Sequence, residues 1–179
     1  MKNRNLKNTD DWKTPDDFYE KINKEFKFDF DPCPLNADFD GLKVEWGNSN
    51  FINPPYSRKL KDAFVKKAIE ESNKGKLCVL LLPVSTSTKL FHDIILPNKR
   101  EIRFIKGRLK FQGLNTKGIF VKNKVGMHDS MLVILKRSIR IGDIVYYITK
   151  YTGIRYVWKK IYPDCNCDKR RKKWNKIKL

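Results

Sequence analysis

A chain of 179 residues with 40% apolar residues is long enough for one domain with a sizeable core. It has no run near the roughly 18 apolar residues of a membrane span, and its start, "MKNRNLKNTDDW", lacks the apolar centre of a signal peptide. A soluble intracellular protein is therefore expected. The net charge of +19 is uneven: residues 1–45 hold 8 Lys/Arg and 11 Asp/Glu, and residues 46–179 hold 31 and 9. Such a field gathers polyanions over the later chain, and nucleic acid is favoured over a membrane surface because no long basic amphipathic helix is present.

The first element expected is a helix in "TPDDFYEKINKEF". Thr14 would cap it, Pro15 would take its first position, and Asp16 and Asp17 suit its positive end. Phe18, Ile22 and Phe26 recur every four residues and predict its buried stripe. "KFDFD" alternates like a short strand that Pro32 stops. Residues 34–47 read as an irregular connection. "NFIN" predicts a second strand, ended by Pro54 and Pro55. A helix follows Ser57, with Leu60, Ala63, Phe64, Ala68 and Ile69 on one face and Gly75 at its C-terminal cap.

"KLCVLLLPV" is nearly all apolar, as in a strand covered on both faces. "STSTKLFHDIIL" predicts a polar turn and a short helix ending near Pro97. "EIRFIKGRLKF" is a strand candidate with Gly107 as a bulge or turn, "GLNTKG" a loop, and "SMLVILK" the last clear strand. The order predicts an α/β sheet with an antiparallel edge. "DIVYYITKYTGIRYVWKKIY" is left unassigned, and "DKRRKKWNKIKL" is a basic tail. Residues 9–162 are taken as the domain and 163–179 as the tail. Four cysteines without regular spacing predict no disulfide scaffold, and Cys165 and Cys167 lack the two further ligands of a structural zinc site, so no metal is expected.

The chemistry centres on Asn53-Pro54-Pro55-Tyr56. Two prolines fix the backbone and remove two donors, leaving carbonyl acceptors beside the Asn53 amide oxygen and an aromatic ring. That set suits a planar ring bearing an amino group, as in adenine or cytosine. Fixed acceptors would hold the amine and favour positive charge developing on its nitrogen, without a strong base. A carboxylate at position 53 would keep an acceptor, so Asn53→Asp is expected to be milder than Asn53→Ala. The turn would lie beyond the carboxyl end of a strand, where open α/β sheets collect ligands.

These four residues resemble the [DNS]-P-P-[YFW] signature of S-adenosylmethionine-dependent DNA amino-methyltransferases. The pieces "WKTPDDFYEKI", "FDFDPCPLNAD", "FINPPYS", "KKAIE", "VLLLPVSTSTKLFHD" and "IRFIKGRLKF", in that order, resemble the phage DNA N-6-adenine-methyltransferase family over roughly residues 11–136. The resemblance implies a compact Rossmann-like methyltransferase sheet with an antiparallel late strand. It also implies S-adenosylmethionine as cofactor, double-stranded DNA as partner and adenine N6 as target. Cytosine N4 and a catalytically inactive, DNA-binding relic of the fold remain as alternatives. The location it implies is the cytoplasm of a bacterial host, with a phage or prophage origin.

By that resemblance Asn53, Pro54, Pro55 and Tyr56 are catalytic, and Tyr56 stacks on a base rotated out of the duplex. Thr14, Pro15, Asp31, Pro32 and Cys33 would bind the cofactor, with Asp31 on its ammonium group. Ser85, Thr86, Lys106 and Arg108 would meet DNA, together with the tail residues Lys169, Arg170, Arg171, Lys172, Lys173 and Trp174. His92 and Arg103 are weaker candidates for the same surface, and His128 weaker again. A glycine-rich F-x-G-x-G loop is absent, and about twenty residues between Asp31 and Asn53 leave little room for the usual second and third sheet units. The acidic residue for the cofactor ribose is therefore unassigned, with Asp38, Asp40 and Glu45 as candidates.

Overall fold

The computed structural model describes residues 12–114, 119–135, 145, 148–153 and 160. The chain divides into two compact units, Met1–Arg137 and Ser138–Leu179, a boundary that falls inside the 9–162 span. In the second unit the described residues include a helical turn at 148–151, where Thr149 and Thr152 hydroxyls donate back to the carbonyls of Val145 and Ile148. The predicted tail lies outside the described residues.

The first unit holds two sheets. Strands β1 (Trp12–Lys13), β2 (Ser49–Ile52), β3 (Leu77–Pro83), β4 (Glu101–Phe104), β5 (Lys110–Leu114), β6 (Phe120–Val125) and β7 (Ser130–Leu135) alternate with helices α1 (Asp16–Phe26) and α2 (Arg58–Asn73). The main sheet has the order β2-β3-β7-β4, and the smaller one β1-β5-β6. β2 and β3 are parallel and joined through α2, whereas β7 runs antiparallel to both β3 and β4. The antiparallel late strand β7 is thus interior, and the edge strand β4 pairs antiparallel with it.

Period-two alternation builds the core on both faces of this sheet. Ile52, Cys78, Leu80, Leu82, Met131, Val133 and Leu135 face Phe64, Val65 and Ala68 of α2, with Trp46, Phe91 and Ile95. Phe51, Val79, Leu81, Leu132 and Ile134 face Ile22 of α1 and Phe111 of β5. β3 is buried from Cys78 to Pro83, as its unbroken apolar run predicts. α2 ends where Gly75 takes φ +100°, a conformation that suits glycine.

Four local expectations change. "KFDFD" forms no regular strand: only Phe30 bridges Asn50. The Asp29 carboxylate instead accepts from the Asn48 and Ser49 amides at 3.0 and 2.9 Å. Gly47 is required beside it, because a Cβ there would run into that carboxylate. "EIRFIKGRLKF" is two strands in two sheets, β4 and β5, separated where Gly107 turns at φ +78°. "GLNTKG" starts inside β5, since Gly113 and Leu114 pair with Val121 and Phe120. The helix after "STST" opens as a wide π-helical turn, Leu90–Ile95, before the short α3 (Leu96–Asn98).

A buried carboxylate fixes the back of the sheet. Glu71 on α2 is closed off from solvent and meets Lys67, Lys74 and Lys76 at 3.2, 2.6 and 2.8 Å. Burial alone would raise its pKa, but hydrogen bonds from Lys74, Lys76 and Lys67 hold it at about 2. Lys76 also donates to the Trp46 carbonyl at 2.6 Å, which ties the irregular 34–47 connection to α2.

Candidate active site

Asn53 lies one residue beyond β2, at the carboxyl end of the parallel pair β2–β3. The residue is 9% exposed, and its Nδ2 donates to the Trp12 carbonyl at 2.8 Å. A carbonyl oxygen can only accept, so this contact fixes which end of the amide is nitrogen. Oδ1 is the end left over, with no hydrogen bond to it among the described residues. Pro54 and Pro55 are buried behind it. Tyr56 follows, with its ring edge-on to Phe111 of β5 at 6.4 Å between centroids. Its hydroxyl is buried without a hydrogen-bond partner among the described residues, and burial pushes its pKa well above the ordinary phenol range. Tyr56 therefore stays a neutral phenol and cannot serve as a base.

Asn53 also lines a cavity of about 290 Å³, near the lower end of small-molecule sites. The other walls include Trp12, Thr14, Tyr19, Asp31, Cys33 and Leu35. Three of the five residues expected at a cofactor, Thr14, Asp31 and Cys33, thus meet the first residue of the expected catalytic motif. Pro15 and Pro32 are not in the wall. Pro32 is buried behind it, against Gly41, where a Cβ would strike the Pro32 carbonyl oxygen.

Thr14 does not cap the helix as expected. Pro15 is the capping residue, with φ −55° and ψ 135°, and its carbonyl receives the Tyr19 amide at 2.9 Å. Thr14 lines the cavity and is 6% exposed as a residue. Its hydroxyl, not used as a cap, is closed off from solvent and has no hydrogen-bond partner among the described residues. A buried, unpaired hydroxyl costs roughly 1–3 kcal/mol unless a ligand or water completes it. Asp31 keeps its turn role, accepting from the Cys33 amide at 2.7 Å, and is also part of the cavity wall. Burial, and then the nearby Asp31 charge, raise the pKa of the Tyr19 phenol.

Lys13 and Asp16, paired at 2.6 Å, are also in the wall, so Asp31 is the carboxylate beyond that pair. With the Thr14 hydroxyl and apolar walls from Tyr19, Leu35 and Phe51, the cavity fits a ligand with a cationic end and hydrogen-bonding substituents. The ribose candidates fall elsewhere. Asp40 accepts from the Leu42 amide at 3.0 Å, Glu45 meets Lys76 at 3.5 Å, and Asp38 is exposed outside the cavity wall. Among the described residues no His/Cys/Asp/Glu cluster could hold a metal.

The DNA candidates divide. Ser85 and Thr86 open the loop after β3, on the same strand ends as Asn53. Arg108 meets Asp129 at 3.5 Å, and the Asp129 carbonyl receives the Val84 amide, so Arg108 belongs to that edge too. Lys106 is exposed. Arg103 is committed to Glu25 at 2.7 Å and Glu101 at 2.6 Å, which leaves it poorly placed to take a phosphate. His92 and His128 are both exposed outside the cavity, and the Lys169–Trp174 group lies outside the described residues.

Sequence reasoning missed Trp12, Tyr19 and Leu35 in the cavity wall. Trp12 and Tyr19 sit inside "WKTPDDFYEKI", the motif piece that carried Thr14 and Pro15, and this was the available signal. Trp12 acts here through its backbone carbonyl, which no side-chain pattern announces.

The family model described as DNA N-6-adenine-methyltransferase (Dam) matches residues 2–155. A DNA N-6-adenine-methyltransferase of Escherichia phage T1 is 32% identical over 111 residues, 55% of this chain. The match spans 45% of that relative's length. No solved structure matches. Among the described residues no helix is long and apolar enough to cross a membrane.

Proposed function

The chain belongs to the DNA N-6-adenine-methyltransferase (Dam) family, and from that premise we propose that it methylates adenine N6 in double-stranded DNA with S-adenosylmethionine as donor. The observation that carries the reading is the Asn53 amide: its nitrogen is held by the Trp12 carbonyl, and its oxygen is left over at a cavity that also holds Thr14 and Asp31. The relative from phage T1 supports the same chemistry and a phage or prophage origin; action in the host cytoplasm is part of the proposal. The main sheet, with its parallel β2–β3 pair and antiparallel β7, is read as a shortened Rossmann-like methyltransferase sheet. Residues 9–162 form the methyltransferase domain and 163–179 the basic tail.

S-adenosylmethionine, when bound, supplies an electrophilic methyl group. Asp31 would hold its ammonium end, Thr14 would complete its hydroxyl on a polar substituent, and Pro15, Pro32 and Cys33 shape the surrounding turns. Asn53 Oδ1 and the Pro54 carbonyl would accept the two N6 hydrogens of the target adenine. Pro55 keeps that carbonyl aimed by fixing the turn. Tyr56 would stack on the adenine once it has left the duplex. The amine exchanges one hydrogen, as a proton, for the methyl group. The two fixed acceptors stabilise the positive nitrogen before that proton leaves, and their dipoles need no reorganisation. Ser85, Thr86, Lys106 and Arg108 surround the strand ends and would hold the backbone of the DNA.

The test is methylation of plasmid DNA followed by nucleoside analysis. N6-methyladenine is expected. N4-methylcytosine would move the target to the other exocyclic amine. No methyl transfer, with DNA affinity retained and no S-adenosylmethionine binding by calorimetry, would reduce the chain to a DNA-binding relic of the fold.

A further inference from the structure

The hairpin β5–β6 is the most one-sidedly charged part of the described fold. Residues 105–128 contain six Lys/Arg and no Asp/Glu. Lys106, Arg108, Lys110, Lys122 and Lys124 are all exposed. Among the described residues only Arg108 of these five meets a carboxylate, Asp129, and both partners of that pair are more than half exposed. This differs from Arg103, whose charge is already answered by two glutamates.

The same hairpin leaves apolar side chains uncovered. Phe120 and Val125 are 49% exposed, and Met127 is 80% exposed. Lys110 stands opposite Val125 in the ladder, so a cation and an apolar side chain share the face turned away from Phe111. Interleaved cations and apolar groups fit a polyanion whose bases are partly unstacked.

The hairpin is also coupled to the catalytic turn. Phe111 of β5 packs edge-on to Tyr56. Gly126 abuts the far side of this contact, since a Cβ there would lie 3.2 Å from the Phe111 ring, and its amide donates to the Leu109 carbonyl at 2.9 Å. Met127 is the next residue. On the other edge of β5, Gly113 pairs with Trp12, whose carbonyl holds Asn53.

A second copy of the chain could in principle cover β6, the edge strand of its sheet. The strand argues against it. The register shifts between Phe111 and Gly113, and Asn123 takes φ +62°, so the edge carries a bulge between Lys122 and Lys124. Bulges and edge lysines are devices that oppose edge-to-edge pairing.

Resting on the methyltransferase reading, we propose that the β5–β6 hairpin is the surface on which duplex DNA docks. Its lysines take backbone phosphates, and Met127 fills the space vacated by the rotated adenine. A two-stranded ribbon fits the major groove, and an unstacked step gains from an apolar wedge.

The first experiment needs no catalysis. Anisotropy of a labelled duplex is measured across a salt series for the full chain and for the triple variant Lys110→Gln, Lys122→Gln, Lys124→Gln. The slope of log affinity against log salt is expected to fall by about two to three, with S-adenosylmethionine affinity unchanged by calorimetry. An unchanged slope overturns the hairpin proposal. A wild-type chain that transfers no methyl group overturns the methyltransferase reading, and the slope comparison still decides the hairpin. The second experiment separates wedge from scaffold. Met127→Ala should lower methylation of duplex plasmid about tenfold and of the heat-denatured strands by less than about threefold, since only stacked DNA needs the wedge. Equal losses on both substrates, or none, remove Met127 from that role. A dimer by sedimentation that the lysine variant abolishes, with an unchanged DNA slope, would assign the hairpin to a second copy and overturn the proposal.

Discussion

Asn53→Asp is the sharpest perturbation of this site. A carboxylate keeps the acceptor that the target amine needs, and on that ground alone the change is mild. The structure adds the other end of the side chain. Asn53 Nδ2 donates to the Trp12 carbonyl at 2.8 Å, in a position only 9% exposed. An aspartate puts an anionic oxygen against that carbonyl oxygen. The variant loses the hydrogen bond and strands a carbonyl, a cost of about 1–3 kcal/mol, or about 5- to 150-fold if it falls on the transition state. Burial raises the pKa of a carboxyl group. Once protonated, the introduced carboxyl group can donate to Trp12 and still offer its carbonyl oxygen, so activity is present below that raised pKa and is lost as pH rises through it. Single-turnover methyl transfer from about pH 5.5 to about pH 8.5 should show Asn53→Asp recovering toward wild type on the acid side. Asn53→Ala should stay about a hundredfold or more down throughout, with cofactor binding intact. A constant ratio of Asn53→Asp to wild type across that range, or wild-type activity at its alkaline end, would refute the role given to Trp12.

Three further outcomes are expected. Asp31→Asn keeps the acceptor for the Cys33 amide but loses the charge, so S-adenosylmethionine affinity should fall about tenfold or more by calorimetry while the fold persists. Glu71 is held at about 2 against an ordinary 4.5, so its stabilisation is complete above about pH 4.5 and is lost as pH falls toward 2. Glu71→Gln should cost about 3 kcal/mol in neutral urea titrations, and its deficit against wild type should close in that acid window. Removing residues 169–179, where seven of the ten residues from Lys169 to Lys178 are basic, should lower the duplex salt slope by about two to four without altering which bases are methylated. An unchanged slope would mean that the tail does not touch DNA.

The central elements were legible because their signals are local. β3 reads as an unbroken apolar run, α2 as an amphipathic stripe, and β7 as six apolar or small residues between polar flanks. The strand end at Asn53 is marked by two prolines. What escaped depends on distant pairing. β1 is two residues long and exists only because β5 pairs with it. β5 and β6 carry mixed sequences whose bulged register no periodicity encodes. The interior place of β7 is a matter of strand order, which alternation cannot supply. Thr14 was expected as a cap because threonine before Pro-Asp-Asp is a good cap sequence. The backbone of Pro15 took that position, and Thr14 lines the cavity instead.

The same distinction bears on Asn53, the residue proposed as catalytic. A strand-end motif that accepts asparagine, aspartate or serine requires only an acceptor toward the substrate. Nothing inside the motif chooses among the three. The choice is made behind the side chain, by what the far end must bond. In this chain that partner is a backbone carbonyl, Trp12, contributed by a strand 41 residues away in sequence. A carbonyl can be satisfied by an amide or a protonated acid and is repelled by a carboxylate. Asparagine is therefore the residue that serves both ends at neutral pH. The strand that imposes this also pairs with β5, which packs Phe111 on Tyr56. A DNA duplex held on the hairpin would therefore sit one strand away from the contacts that hold Asn53 and Tyr56.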